Sequence, residues 1–328
     1  MPSARSTDLL VEVAQRYYLE QQSQQRIASE IGSTRSNVSR MLAAARERGI
    51  VRIDIRRPPG RDTATEAELR GRLGLREAVV TEAGDDGLRA VGRLAADWLT
   101  ERLADGMRVG VSWGRTLGAV VRSLRPERHV DVEAVQLGGS LELLPQFSGH
   151  ELVRGIAERF GGEYAYLHAP AIVDSPSAVR ELRRTRTIDR QLTRAAASDV
   201  ALLGIGAFGA GFAAQLLDSG HLDSDERAAF GRAGVVGDVL ARFYDAQGRQ
   251  QDTPLRDRVL ALELDELRGI PLRVGVAHGR EKVPGILGAT SGGIVDVLIT
   301  DRTTACAVLD ASARSGPGRA ADGVLAGV

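Results

Sequence analysis

Between residues 7 and 20 the apolar side chains Leu9, Leu10, Val13, Ala14, Tyr17 and Tyr18 recur three and four positions apart, which puts them on one face of a helix. A second, shorter helix over about 24–31 buries Ile27, Ala28 and Ile31. Gly32 then permits a left-handed turn residue, and Ser33 or Thr34 can cap a third helix. That helix, over about 35–48, turns Val38, Met41, Leu42 and Ala45 inward and stops near Gly49. Val51, Ile53 and Ile55 alternate as in a strand over 50–55, the size of a wing or an edge ribbon. In the run RRPPGRDT at 56–63, Pro58, Pro59 and Gly60 exclude both helix and sheet interior, so we place a domain boundary there.

From about residue 65 the pattern changes to strands alternating with helices. The expected strands are Ala78 to Thr81, Arg108 to Ser112, Val132 to Leu137, Tyr164 to Leu167, Val200 to Ile205, Val239 to Tyr244, Leu272 to Ala277 and Val297 to Thr300. Several are short apolar runs ending in glycine or a small polar residue, as in buried parallel strands whose C-terminal ends carry ligand loops. The expected fold class is α/β: a helix-turn-helix over 1–56, a linker over 57–64 and a doubly wound α/β unit over 65–314. The segment SGPGRAADGVLAGV, 315–328, reads as a flexible tail.

A chain of 328 residues with 43% hydrophobic and 26% charged residues is globular, and no stretch approaches the length of a membrane span. The start MPSARSTDLL lacks a charged-then-apolar leader, and one cysteine cannot form an internal disulfide, so a cytoplasmic location is expected. Cys306, within ACAVL, reads as a buried small hydrophobe. The formal net charge is zero, but residues 1–60 hold ten Arg against six acidic residues, a net +4, which leaves −4 for the remainder. The basic end is therefore the end expected to meet nucleic acid. Of 43 basic residues only Lys282 is a lysine, which marks it as a position where a compact ammonium is needed in place of a guanidinium.

A helix-turn-helix needs a small residue where its helices touch, a turn residue free to adopt positive φ, and apolar anchors under the recognition helix. QQRIASEIGSTRSNVSRML (24–42) supplies Ala28, Gly32, Val38 and Met41 at consistent offsets. The outward face offers Thr34, Arg35, Ser36, Asn37, Ser39 and Arg40 to a major groove. Arg35 and Asn37 are candidates for base edges, since Arg pairs with guanine and Asn with adenine in bidentate fashion. Ser36, Ser39 and Arg40 suit phosphates.

Small-molecule signals sit at the strand ends. MRVGVSWGRTL (107–117) is a strand, a glycine-bracketed turn and a helix start. Gly110 and Gly114 let backbone N–H groups approach an anion, while Ser112, Arg115 and Thr116 add donors. No Gly-Lys-Ser/Thr follows, so this is not a Walker loop. QLGGS (136–140), LGIGAFG (203–209) and GATSGG (288–293) repeat the theme, and together they favour a crevice at the switch of a doubly wound sheet. RVGVAHGREKVPGILGA (273–289) puts Lys282 in the first turn of a helix, where its charge needs an anionic ligand, Glu281 or Asp301 nearby. Asp238 and Asp301 follow apolar runs and can accept sugar hydroxyls or cap helices. The histidines at 129, 150, 168, 221 and 278 show no metal-ligand spacing, so no metal or cofactor is expected. His168 and His278 end strands and are positioned to line a pocket, to pack, or to face solvent.

Seven segments in order resemble the SorC family of sugar-binding bacterial transcriptional regulators, which includes sorbitol, deoxyribonucleoside and central glycolytic regulators. They are YYLEQQSQQRIASEIGSTRSNVSRML, GVSWGRTL, VQLGGS, LHAPA, VGDVLARFYDAQG, TPLRDRVLAL and VAHGREKVPGILGATSGGIVDVLITDRTTA. The resemblance implies a winged-helix-like DNA head, an effector domain similar to sugar-phosphate isomerases and deaminases, and assembly as homodimers or homotetramers. It also implies an effector pocket at Ser112, Trp113, Gly114, Arg115 and Thr116, at Gly138, Gly139 and Ser140, at Gly204 and Gly206, and at Asp238 and Lys282. His278 stands where family members often have a second glycine. The expected function is regulation of operator binding by a sugar, polyol or sugar-phosphate effector. Two rivals are weighed against it: a sugar-phosphate isomerase or deaminase using Lys282 with Asp301 or Asp238, which has no need of residues 7–55, and a sugar sensor acting by protein contact, which needs no operator.

Overall fold

The structure, a computed structural model, describes residues 7–52, 60–82, 87–141, 147–211, 214–215 and 221–314. The chain divides into two compact units, Met1–Pro58 and Pro59–Val328.

In the first unit α1 (Thr7–Tyr18), α2 (Gln24–Glu30) and α3 (Arg35–Glu47) close over Leu10, Val13, Ile27, Ala28, Val38, Met41, Leu42 and Ala45. Ser23 Oγ accepts from Arg26 N at 3.2 Å and caps α2. Gly32, at φ 62°, makes the left-handed turn into α3, where L side chains are strained. Thr34 Oγ1, not Ser33, caps α3 by accepting from Asn37 N at 3.2 Å. Arg16 pairs with Glu12 at 2.6 Å and Glu30 at 2.8 Å, tying α1 to α2. Ile50 and Val51 pack against this core, and Ile50–Arg52 form no strand; the rest of the expected 50–55 strand lies outside the described residues.

The second unit starts earlier than the expected linker end. Asp62 caps α4 (Thr63–Leu73), its Oδ1 accepting from Thr65 N at 3.1 Å. Then come β1 (Glu77–Thr81), α5 (Gly87–Arg102), β2 (Arg108–Val111), α6 (Arg115–Ser123), β3 (Glu133–Gln136), α7 (Gly149–Phe160), β4 (Glu163–Ala165), α8 (Pro176–Arg184), α9 (Arg186–Ala196) and β5 (Val200–Gly204). After these follow β6 (Gly237–Val239), β7 (Arg242–Tyr244), β8 (Leu272–Val276) and β9 (Val297–Asp301).

Seven strands form one sheet in the order β1-β9-β8-β5-β2-β3-β4, and every pairing in it is parallel. Both faces are buried, which is why the strands read as apolar runs without alternation. On one face Val79, Val109, Val111 and Leu202 meet Leu94, Leu99, Val120 and Ile156 of α5 to α7. On the other Val80, Ala201 and Leu203 meet Leu69, Ile188 and Leu192, together with Ile286 and Val308 from the last two helices. From β2 the chain builds outward through β3 and β4. It then returns to set β5 on the other flank of β2 and continues outward through β8 and β9. The switch in direction, and with it the crevice of a doubly wound sheet, falls between β2 and β5.

The expected strand Val239 to Tyr244 is instead a hairpin outside the main sheet: β6 and β7 pair antiparallel, Asp238 opposite Phe243. Its turn residues Leu240 and Ala241 both have positive φ, 56° and 55°. Hairpin turns of that shape are ordinarily announced by Asn or Gly, so the apolar run concealed this one. Ala241 N donates to Asp238 Oδ2 at 3.2 Å inside the turn. Arg242, 2% exposed, holds the hairpin to the next segment by donating to the carbonyls of Arg256, Val259, Ala261 and Leu262 and to Glu263.

Cys306 is exposed, against the expectation of burial. On the helix Arg302–Arg314 the inward positions are Ala305 and Val308, and Cys306 lies one residue round from the core face. The expected tail 315–328 lies outside the described residues. Among the described residues no helix is long and apolar enough to cross a membrane.

Candidate functional site

A cavity of about 250 Å³ opens at the C-terminal ends of β2 and β5, at the switch point. The turn after β2 supplies Ser112, Trp113, Gly114, Arg115 and Thr116; the turn after β5 supplies Gly204, Ile205 and Gly206. Asp238 and Leu240 enter from the hairpin, and His278, Glu281 and Lys282 from the segment after β8.

Ser112, 1% exposed, accepts from Gly204 N at 3.0 Å through Oγ, so it joins the two switch strands and keeps its own proton for a ligand. Gly114, at φ 128°, starts α6, and no side chain caps that helix. Its first N–H groups and the positive end of its dipole are therefore left without a side-chain acceptor, the arrangement an anion would fit. A Cβ added at Gly211 would lie 3.3 Å from the Arg115 guanidinium and 3.9 Å from Lys282 Nζ, so the two cations flank one spot. Neither has an ion-pair partner within 4.0 Å among the described residues.

Lys282 ends a short 3-10 turn, Arg280–Lys282, and stands at the N-cap of the helix Val283–Ser291. Burial pushes its ammonium below the ordinary lysine range, Asp238 and Glu281 oppose this, and Arg115 adds to it. Asp238 is 4% exposed. Burial raises its carboxyl to about 6, against the pull of Lys282 and the Ala241 N–H. Its Oδ1 is buried without a partner among the described residues, an oxygen that a ligand donor would satisfy. A Cβ at Gly206 would collide with that same oxygen, so only glycine there admits the carboxylate.

Asp301 takes no part with Lys282. Its Oδ1 accepts from Thr304 N at 2.9 Å and its Oδ2 from Thr304 Oγ1 at 2.6 Å, so it caps the last helix. These bonds, with His278, hold its carboxyl below the usual range although burial acts the other way. The counter-charge of Lys282 comes from Asp238 and Glu281.

The cavity wall thus brings together Ser112, Trp113, Gly114, Arg115, Thr116, Gly204, Gly206, Asp238 and Lys282. Gly138, Gly139 and Ser140 stand behind it. A Cβ at Gly138 would meet the Trp113 ring at 2.9 Å, and one at Gly139 the Pro170 carbonyl at 2.5 Å, so Gly138 lets the segment pack under Trp113 and Gly139 lets it approach the Pro170 backbone. Ser140 Oγ lies 3.1 Å from His150 Nε2. His168 lines a separate depression with Tyr166 and Arg190. Leu88, Leu117, Ile205, Leu240, His278 and Glu281 complete the main wall; of these Leu88 lies outside the quoted motifs, and Leu117, Ile205 and Leu240 lie inside them as apolar positions that gave no sign of facing a ligand. Among the described residues no three His, Cys, Asp or Glu side chains gather as for a metal ion.

In the first unit Thr34, Arg35, Ser36, Ser39 and Arg40 are exposed on α3. Arg40 donates to Asn37 Oδ1 at 2.8 Å, which fixes the amide with its NH2 free to donate. Thr34 is committed to capping through its lone pair.

An α/β unit with a polar cavity at its switch point, joined to a trihelical unit with a polar recognition helix, defines a ligand-responsive regulator. The sequence pattern of the sugar-binding domain family matches residues 57–310. The sorbitol operon regulator of Klebsiella pneumoniae is 32% identical over 93% of this chain and 98% of its own length. The deoxyribonucleoside regulator of Bacillus subtilis is 32% identical over 92% and 97%. The crystal structure of the full-length Klebsiella regulator superposes with a TM-score of 0.70 over 92% of this chain and 98% of that one. The chain therefore belongs to the SorC family of sugar-binding bacterial transcriptional regulators. It is a transcriptional regulator, and the isomerase or deaminase alternative finds no support among these relatives.

Proposed function

We propose that this regulator binds operator DNA through α3 and that a sugar, polyol or sugar-phosphate effector in the switch-point cavity controls that binding. The observation that carries the reading is the cavity's charge pattern. Two cations without ion-pair partners among the described residues, Arg115 and Lys282, and an uncapped helix start suit an anionic group, while Asp238 Oδ1, unpartnered among the same residues, suits a hydroxyl. A phosphorylated polyol supplies both chemistries in one molecule. On the DNA side, Arg35 and Asn37 read base edges and Ser36, Ser39 and Arg40 hold phosphates, with Thr34 ordering the helix start. The same reading divides the chain into a head over 1–56, a linker from 57 that ends before the α4 cap at Asp62, an effector and oligomerisation domain from there to 314 and a tail over 315–328. A single recognition helix covers one half-site, so the working form is a homodimer or homotetramer, and it acts in the cytoplasm.

Control works by linkage. An effector that prefers one arrangement of the oligomer shifts operator affinity, and operator DNA shifts effector affinity by the same factor. A thermal-shift screen of the purified chain against sugars, polyols and their phosphates tests the site. The expected result is a stabilising hit that Lys282→Ala abolishes. No hit from any of these classes, or a hit indifferent to Lys282→Ala, contradicts the proposal.

A further inference from the structure

His278 lies in the cavity wall, and its ring is held from two sides. Its Nδ1 is 2.7 Å from Asp301 Oδ2. Asp301 is 3% exposed and is itself fixed by Thr304 N and Oγ1. Thr304 Oγ1 in turn accepts from Gly279 N at 2.9 Å, which closes the network back onto the residue after His278. The ring edge at Cε1 rests on the Cβ-free face of Gly87, where any larger residue would collide with it. Asp301 is an ionised acceptor whose carboxyl is held below its usual range. The proton of a neutral imidazole therefore sits on Nδ1, and Nε2 is left as a bare acceptor. Nε2 has no partner among the described residues.

The cavity therefore contains two unsatisfied acceptors of separate origin, Asp238 Oδ1 from the hairpin and His278 Nε2 from the end of β8. The donors Arg115, Lys282 and the start of α6 form the cationic part of the wall. An acceptor pair of this kind discriminates by what it lacks: a ligand without a hydroxyl opposite Asp238 leaves a buried oxygen unpaired, and one without a hydroxyl opposite His278, whose side chain is 34% exposed, covers Nε2 against solvent without giving it a donor.

We propose that His278 is a specificity-determining residue of the effector site, one that takes a hydroxyl of the effector on Nε2, so that the effector is a hydroxylated sugar or polyol phosphate in preference to its deoxy counterpart. Asp301 acts through His278 as a positioning residue that sets the tautomer. This inference rests on the reading of the cavity as the effector site.

The test uses full-length protein with 15N-labelled histidine. The imidazole nitrogen resonances are recorded alone, with inorganic phosphate, and with hexose and pentose phosphates, each beside its deoxy counterpart. Without ligand the expected tautomer is Nδ1–H. A hydroxylated phosphate is expected to shift His278 Nε2 as a hydrogen-bond acceptor and to bind at least about tenfold more tightly than its deoxy counterpart. His278→Ala should lose that preference while still binding inorganic phosphate, and His278→Gln, whose amide oxygen can accept, should recover part of it. Asp301→Asn should move the proton to Nε2 and abolish the acceptor signature of Nε2 in the liganded spectrum, with Thr304→Val reporting separately what loss of the helix cap does to stability.

An Nε2–H tautomer in the free chain overturns the proposal. So does equal affinity for hydroxylated and deoxy ligands, or a panel in which no sugar phosphate binds more tightly than inorganic phosphate. If neither phosphate nor any sugar perturbs the cavity, the effector reading itself falls and this inference with it.

Discussion

Replacing Asp238 by Asn should stabilise the ligand-free protein at neutral pH while weakening effector binding. The folded carboxyl titrates at about 6 against an ordinary 3.8, with burial the main cause. A folded-state carboxyl raised above its unfolded value binds protons more readily in the native state. Between pH 3.8 and 6 the native form therefore holds the proton that the unfolded form has lost, and stability falls as pH rises through that window. Above it the full difference is felt, about 3 kcal/mol at 1.36 kcal/mol for each tenfold change in proton affinity. The attraction between Asp238 and Lys282 is already inside that balance, and Asn also forgoes it. A net gain of about 2 kcal/mol at pH 7.5 is the expectation, which raises the midpoint of a unit this size by roughly 4–8 °C. The assay is thermal unfolding of both forms without ligand from pH 7.5 down to pH 4.5. The gap should shrink as Asp238 takes up its proton and be nearly gone at the acid end. An Asn variant no more stable than the parent at pH 7.5, or a gap that ignores pH, would refute the reasoning. Either result means that the carboxylate is already satisfied when no ligand is bound.

Four further changes probe the frame around the site and the helices of the first unit. Arg242→Met leaves four carbonyls and Glu263 without their buried donor, and should cost about 3–5 kcal/mol in denaturant unfolding. A loss below about 1 kcal/mol contradicts its role as the anchor of the hairpin. Gly206→Ala drives a methyl into Asp238 Oδ1 and should abolish effector binding in calorimetry, whereas unchanged affinity shows that the carboxylate can move aside freely. On the DNA head, Thr34→Ala should lower stability by about 1 kcal/mol through the lost cap. Arg35→Ala should leave stability alone and weaken operator affinity by about 1–3 kcal/mol, and equal effects on all sequences would reassign Arg35 to phosphate contact.

The alternation of elements and the placement of strand ends were legible because buried parallel strands read as apolar runs closed by small residues. The three head helices were equally plain, since their inward positions follow the helical period. Val239 to Tyr244 was misread as a core strand because its turn uses Leu240 and Ala241, side chains that rarely adopt positive φ. The surrounding packing imposes that turn, and local propensity does not announce it. QLGGS was legible as a tight approach of backbone, but whether a glycine faces a ligand or a neighbouring tryptophan depends on which chain lies across from it. The same holds for Asp301 and Asp238. Both follow apolar runs, yet one carboxylate is used up by Thr304 and the other is left with an unpaired oxygen. Cys306 shows the limit of composition within a helix, since one step of about 100° separates core from surface.

The most direct test of the central claim is operator affinity measured against effector concentration. The operator is selected from genomic DNA by the full-length chain, and binding is followed by fluorescence anisotropy for the parent and for Lys282→Ala. At least one sugar or polyol phosphate should change the parent's operator affinity by about fivefold or more. Lys282→Ala should bind the same operator with unchanged affinity and show no response. An operator response that survives Lys282→Ala intact, or parent protein that selects DNA yet ignores every such ligand, contradicts control from the switch-point cavity.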